Sequence, residues 1–341
     1  MTIVLVTGGA GYIGSHCTLA LIEAGFDVVI FDNLETGHEE FVDVLIAQDA
    51  KGRVLDFVKG DLREYDQINH LFELYDIDIV VHFAAFSLVE ESMHDPMKYY
   101  RNNVCGSLNL LESMIKNNVM QIVFSSTAAV YGEPLYVPVD EMHPKNPINA
   151  YGRSKLMIET MMDDFNLAYG LRSVRLRYFN VVGADHCLRV GESHNPETHL
   201  IPNILKSVFD DDVSFKIFGD DYETRDGTCV RDFIDVEDLS YAHYLALNYL
   251  LNGGETVSLN LGTKNGSSVK EIFEKCEAVV GTKIDVEVVE RRLGDPAVLV
   301  ADNTNAGRIL DWRVSRTLDD SIGTAFGWMK KNQRCQWDVQ L

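Results

Sequence analysis

The residues best suited to chemistry stand four apart: Tyr151 and Lys155, in the run AYGRSK, put a phenol and an ammonium on one face of a helix. A phenol titrates near about 10, too high for a base at neutral pH unless a cation stabilises the phenolate. Lys155, helped by the positive ring of an oxidised nicotinamide, supplies such a field. Tyr151 is then the candidate base that takes an alcohol proton while hydride leaves for the dinucleotide. Thr127, ending the run Ser125-Ser126-Thr127, is placed to share that proton or orient the hydroxyl. The spacing alone is weak; its weight comes from a strand end and a helix start meeting at the carboxyl edge of a sheet, where open α/β folds bind ligands.

Such a sheet is what the first half of the chain predicts. Short β-branched runs (Ile3 to Val6, Val28 to Phe31, Leu55 to Lys59, Ile79 to Phe83, Ile122 to Ser125, Val174 to Leu176) alternate with helical stretches over Tyr12 to Ala24, Tyr65 to Leu74, Pro96 to Lys116 and Tyr151 to Ala168. The reading is α/β: a doubly wound parallel Rossmann-type sheet over 1–180, followed by a smaller C-terminal α/β lobe over 181–341. Turn-rich sequence follows Asn180, with short elements at Val213 to Phe218 and Ile284 to Val289. A helix at Val236 to Leu250 and a strand at Val257 to Leu261 resemble the first half, so residues 232–262 are expected to pack back onto it.

Directly after the first strand, Thr7-Gly8-Gly9-Ala10-Gly11-Tyr12-Ile13-Gly14-Ser15 opens a helix. Gly8 allows a tight turn, Gly11 lets backbone approach a pyrophosphate, and Gly14 permits close packing of helix on strand. The next strand ends in Asp32, whose carboxylate suits the ribose hydroxyls of NAD and repels the 2′-phosphate of NADP. Asp61 and Leu62, after the third strand, are placed to meet adenine.

Composition excludes other classes. With 30 basic and 52 acidic side chains the net charge is −22, the wrong sign for nucleic acid. No apolar run approaches the roughly 18 residues of a bilayer span, and no leader pattern precedes the first strand, so a cytoplasmic protein is expected. The six cysteines form no CxxC pair and are expected to be reduced and mostly buried. The ten histidines show no HxH or HxxxH spacing, so no metal is expected.

TGGAGYIGS, HFAA, SSTAAVYGEP, AYGRSK and LRYFN, in that order, resemble the extended short-chain dehydrogenase/reductase family. IFGDDYETRDGTCVRDFIDVEDL and RRLGD extend the likeness over nearly the whole chain, within that family, to its nucleotide-sugar 4-epimerases. The resemblance implies NAD held tightly and a UDP-hexose inverted at C4, interconverting UDP-glucose and UDP-galactose through a 4-keto sugar. It implies cofactor contacts from Tyr12, Ile13, Asn33, Phe83, Ala84, Ala85, Asn102, Ser125 and Tyr178 beside the glycines, Asp32, Asp61, Leu62, Tyr151 and Lys155. For the UDP-sugar it implies Ser126, Thr127, Asn180, His199, Leu200, Phe218, Arg231, Arg292, Asp295 and Leu299, and a homodimer formed through the helices at Pro96 to Lys116 and Tyr151 to Ala168.

The chain departs from that pattern in places. Thr127 replaces the more usual serine, Ser87 stands where many relatives carry a cofactor-contacting lysine, and His199 stands where many have an asparagine. Leu299 occupies a gatekeeper position where a small residue admits an N-acetyl group and a large one excludes it. A nucleotide-sugar 4,6-dehydratase is the neighbouring alternative, but it requires an acid/base pair after the hydroxyl residue, and here Ala128 and Ala129 follow. A non-catalytic NAD-binding protein is the other alternative; retention of Tyr151 and Lys155 weighs against it.

Overall fold

A computed structural model describes residues 2–209, 214–291 and 296–338. Strands β1 (Ile3–Thr7), β2 (Asp27–Asp32), β3 (Val54–Lys59), β4 (Ile79–His82), β5 (Gln121–Thr127) and β6 (Arg172–Tyr178) alternate with helices. The helices are α1 (Tyr12–Ala24), α2 (Glu39–Gln48), α3 (Tyr65–Leu74), α4 (Val89–His94), α5 (Pro96–Tyr99), α6 (Gly106–Lys116) and α7 (Ala150–Tyr169). Then follow β7 (Asn180–Val182), α8 (Leu200–Lys206), β8 (Phe215–Phe218), β9 (Val230–Arg231), β10 (Phe233–Asp235), α9 (Val236–Leu251) and β11 (Val257–Leu261). The chain continues through β12 (Ser267–Ser268), α10 (Val269–Val280), β13 (Val286–Val289), β14 (Val298–Leu299), α11 (Thr304–Leu310) and α12 (Leu318–Asp338).

The central sheet runs β3-β2-β1-β4-β5-β6-β11, every pair parallel. Strand order reverses between β1 and β4, and a crevice opens there at the carboxyl edge. Apolar runs make both faces bury: Val4 and Val6 of β1 pack towards α1 and α9, while Leu5 packs towards α3, α6 and α7. Two cores thus clamp one sheet, and its carboxyl edge becomes a rigid platform. A third core, with Ile201, Leu205, Phe215, Phe273 and Ile322, joins α8, α10 and α12 to the two-stranded sheet of β8 and β13.

The predicted helix over Pro96 to Lys116 is present but not uniform. A π-helical stretch, Tyr100–Cys105, sits between α5 and α6 and widens one turn where Asn102 and Asn103 lie. Val213 of the expected strand lies outside the described residues; β8 begins at Phe215. Cys17, Cys229 and Cys276 are buried, whereas Cys105 and Cys187 are exposed, more open than the sequence reading expects. Among the described residues, no helix is long and apolar enough to cross a membrane.

Candidate active site at the switch point

Tyr151 is placed by a helix start. Asn149 caps α7, its side chain accepting from the Gly152 N–H at 2.7 Å, so Tyr151 falls in the first turn and Lys155 one turn on. Thr127 ends β5 beside it, its hydroxyl close enough to the phenol to favour the phenolate, while the Ala129 N–H donates to that hydroxyl at 3.1 Å. Phenol and hydroxyl thus come from a helix start and a strand end at the sheet edge.

Lys155 is buried one turn along α7. Its Nζ donates to the Ser125 carbonyl at 2.7 Å and lies 4.8 Å from the Phe124 ring centroid. Burial pulls its pKa down to about 7, against the pull of Glu159. Burial also raises Tyr151, with the Thr127 hydroxyl opposing it. In the chain alone the Lys155 ammonium is turned to a carbonyl of β5.

Sequence reasoning missed the groups beneath. Glu159 and Arg177, each 2% exposed, form an ion pair at 2.6 Å, extended by Ser126 to Glu159 at 2.6 Å, Arg177 to Tyr131 at 3.0 Å and Tyr131 to Asn260 at 2.6 Å. This network braces α7 against β6, and Glu159 follows Tyr151 and Lys155 along the helix at four-residue steps. It also corrects the reading of Ser126: strand alternation turns that hydroxyl into the network, fully buried, so it does not face the crevice. Asn103 was missed as well; it accepts from Phe86 N at 2.9 Å and donates to Phe86 O at 3.0 Å and Ser154 Oγ at 3.1 Å, tying the loop after β4 to α7. His82, buried between the hydroxyls of Thr7 (2.6 Å) and Ser107 (2.8 Å), is pushed down to about 3 by burial and is neutral.

The glycine loop is a cradle with no room for side chains. A Cβ on Gly14 would lie 2.0 Å from the Gly8 carbonyl oxygen, and one on Gly8, whose φ is +74°, would lie 2.5 Å from the Ala84 nitrogen. Helix α1 begins at Gly11 with no side-chain cap and no acidic residue in its first turn, so its N–H groups suit a pyrophosphate. Asp32 is buried and accepts from Ala10 N at 3.1 Å and Leu34 N at 2.8 Å, leaving lone pairs for ribose hydroxyls. These features fit NAD.

Around the cradle, Tyr12 is fixed by its hydroxyl to the Gly183 carbonyl at 2.6 Å, and Ile13 packs on the first core. Phe83 and Ala84 both donate backbone N–H to Thr7 O, with Ala85 next in the same loop. Asn102 donates to Asn103 at 3.0 Å, and the Ser125 and Tyr178 hydroxyls bond each other. Asp61 is less free than the adenine reading requires: Arg63 and Asn33 hold its carboxylate, which sits at about 2 despite opposing burial, and Leu62 is buried beside it.

The expected sugar-side residues come from scattered segments. Asn180 opens β7 with its N–H on the Asp232 carbonyl, and Leu200 opens α8. Phe218 ends β8, and Arg231 of β9 donates to the Pro296 carbonyl at 2.8 Å. Leu299 of β14 pairs in register with Arg231 and packs on the cluster of Ala128, Val130 and Phe179, directly after Thr127. Arg292 and Asp295 lie outside the described residues. His199 caps α8 by backbone only, while its ring joins Glu192, His194 and Glu197 in a cluster that no spacing rule flagged. Hydrogen bonds to Glu192 and Glu197 outweigh burial and raise His199 to about 10.

Comparison with known proteins agrees with this geometry. Residues 5–324 match the family described as GDP-mannose 4,6 dehydratase. A UDP-glucose 4-epimerase of Halalkalibacterium halodurans is 46% identical over 332 residues, covering 96% of each chain. One from Lactobacillus helveticus is 47% identical over 332 residues, 97% of this chain and 98% of that one. A solved UDP-glucose-4-epimerase from Stenotrophomonas maltophila, with bound NAD and formylated UDP-arabinopyranose, is 38% identical, covers 98% of this chain and 100% of its own, and superposes with a TM-score of 0.94.

Proposed function

The chain belongs to the UDP-glucose 4-epimerases of the extended short-chain dehydrogenase/reductase family, and from that premise we propose the following reading of its site. It is an NAD-dependent isomerase that interconverts UDP-glucose and UDP-galactose with no net redox change. The observation that carries this is the meeting of Tyr151, in the first turn of α7, with Thr127, at the end of β5, on the carboxyl edge of the sheet that also carries the glycine cradle.

The C4 hydrogen of a pyranose is not acidic, so inversion by direct proton removal is closed. NAD held by the cradle of Gly8, Gly11 and Gly14 and by Asp32 would supply the hydride acceptor and donor for a route through a 4-keto sugar. Tyr151 takes the C4 hydroxyl proton and gives it back, Thr127 orients that hydroxyl, and Lys155 holds the opposite charge within reach of the proton route. Return to the other face requires the sugar to turn over, so the nucleotide is gripped and the hexose is loosely held. Asn180, His199, Leu200, Phe218, Arg231, Arg292 and Asp295 grip the uridine diphosphate in this reading, with arginines suited to phosphate. Residues 1–180 with the 232–262 return form the dinucleotide unit, and 181–341 otherwise form the UDP-sugar unit.

Ala128 and Ala129 carry no titratable group, which argues against 4,6-dehydration although the matched family is described by that activity. A second substrate class, N-acetylated UDP-hexoses, is favoured to a lesser degree by Leu299, a side chain of intermediate bulk at the gate. A homodimer fits the exposed Met93, Met97, Leu108 and Met157, with Met157 lining a shallow groove beside Val104, Pro147, Leu156 and Met161. Met114 and Met162, by contrast, belong to the core. A cytoplasmic location belongs to the same reading, supported by six cysteines with no CxxC pair. The test is direct: purified protein is expected to release NAD on denaturation and to convert UDP-galactose to UDP-glucose with no added oxidant. Recovery of UDP-galactose alone defeats the reading.

A further inference from the structure

The cluster at Glu192, His194, Glu197 and His199 leads into α8 and shares only His199 with the nucleotide grip proposed above. All four side chains come from eight successive residues, and their ligand atoms lie within 4.8 Å of one another. His199 Nδ1 is 2.8 Å from Glu192 Oε1 and 2.9 Å from Glu197 Oε1; His194 Nδ1 is 3.2 Å from Glu192 Oε1 and 3.6 Å from Glu197 Oε2. Metal bonds of about 2.0–2.2 Å to nitrogen and oxygen place tetrahedral ligand atoms roughly 3.3–3.6 Å apart. The His194 separations, 3.2 and 3.6 Å, match that edge length, and the His199 separations, 2.8 and 2.9 Å, are shorter hydrogen-bond distances that a cation would widen.

Two further features set the cluster apart from a surface ion pair. The Glu192 and Glu197 side chains are only 6% and 12% exposed, and among the described residues their only charged partners are the two imidazoles. His194 Nδ1 is buried and makes no hydrogen bond of acceptable geometry. The backbone is pinned: Trp328 Nε1 donates to the Glu192 carbonyl at 2.9 Å, His38 bonds the Ser193 carbonyl at 2.7 Å, and Glu197 accepts from the N–H groups of Thr198 and His199 at 2.8 Å. A superficially similar trio, Asp185, His186 and Glu237, differs in kind, because Arg189 forks Asp185 and Arg316 pairs with Glu237. Arginines already neutralise those acids.

We propose that Glu192, His194, Glu197 and His199 form a binding site for one divalent transition cation of the zinc class, held by two imidazoles and two carboxylates. That donor set is mixed nitrogen and oxygen, suited to zinc or cobalt rather than to calcium or magnesium. The two carboxylates balance the charge of the cation. Occupancy fixes the segment that leads into α8 and so sets the approach to Leu200.

The test titrates Co²⁺ alone into the NAD-loaded protein after chelator treatment, following visible d–d absorption with equilibrium dialysis in parallel. One equivalent per chain is expected, displaced by one equivalent of Zn²⁺. His194→Ala and Glu192→Gln should each weaken binding at least tenfold, while His186→Ala, in the arginine-paired trio, leaves it unchanged. Circular dichroism and retained NAD report whether the variants fold. Zinc-edge anomalous diffraction from wild-type crystals is expected to show a peak within bonding distance of the four side chains, which keeps the test decisive if the variants misfold. Lack of saturable binding, equal binding by His194→Ala, intense sulfur-to-cobalt charge-transfer bands from Cys105 or Cys187, or an anomalous peak elsewhere overturns the site.

Discussion

The two ends of the crevice are built from different materials. At the dinucleotide end the working groups are backbone N–H groups over Thr7 to Ser15, crowded so closely that a single added carbon collides with the neighbouring turn. At the end proposed for the sugar they are side chains on short pieces, β7, α8, β8, β9 and β14, drawn from more than a hundred residues of chain. A backbone site tolerates almost any side chain that fits and almost no change of shape. A side-chain site tolerates changes of shape and responds to each by altered preference. Cofactor retention and sugar choice should therefore separate cleanly under mutation.

Tyr151→Phe, at the junction of the two ends, should have the largest effect. Turnover is expected to fall about 10³-fold or more with NAD content unchanged, read by chromatography of UDP-glucose and UDP-galactose. Near-normal rates would remove Tyr151 from the base role. Glu159→Gln tests the brace that both ends share, and leaving Arg177 buried without its carboxylate is expected to cost about 3–5 kcal/mol in urea unfolding at neutral pH. Arg177 and Ser126 hold the folded Glu159 carboxyl below its unfolded value, outweighing burial. Its contribution is therefore present above roughly pH 4.3 and lost as pH falls through the lower folded value. Wild-type stability should drop steeply with acid in that window, and the Gln variant should show a shallower slope; equal slopes would assign the acid sensitivity elsewhere.

Gly14→Ala asks whether the cradle is as unforgiving as its geometry. The new Cβ meets the Gly8 carbonyl at 2.0 Å, so we expect most of the bound NAD to be lost on purification, with stability reduced by about 1–3 kcal/mol. Full NAD content would mean that the loop shifts more easily than a packed turn should. Leu299→Ser is the smallest effect and the sharpest contrast: relative kcat/KM for an N-acetylated UDP-hexose over UDP-glucose should rise roughly tenfold, with NAD untouched. Unchanged selectivity would discard the gate at β14.

The strands, the glycine cradle and the Tyr151–Lys155 helix were legible because each depends on residues close in sequence. Apolar runs specify β1 and β5, and an asparagine one residue before Ala150 specifies where α7 begins. The partners of Glu159 were not legible: Arg177, Ser126, Tyr131 and Asn260 are distant in sequence, and none carries a spacing signal. The direction of the Lys155 ammonium was likewise hidden, since it depends on a carbonyl of a neighbouring strand. The Glu192 to His199 cluster lies within one short segment, yet its order of ligands matches no helical or turn motif. Only the fold of that segment against Trp328 and His38 makes the four side chains converge.

By itself the amino-acid order determined which residues carry chemistry and which secondary elements hold them, because turn, cap and periodic signals act over a few residues. Tertiary structure alone decided how those groups are poised: that Ser126 turns away, that the Lys155 ammonium is buried against a carbonyl, and that two glutamates and two histidines face one point. Burial and long-range contacts set solvation and direction, and neither is encoded at any single position.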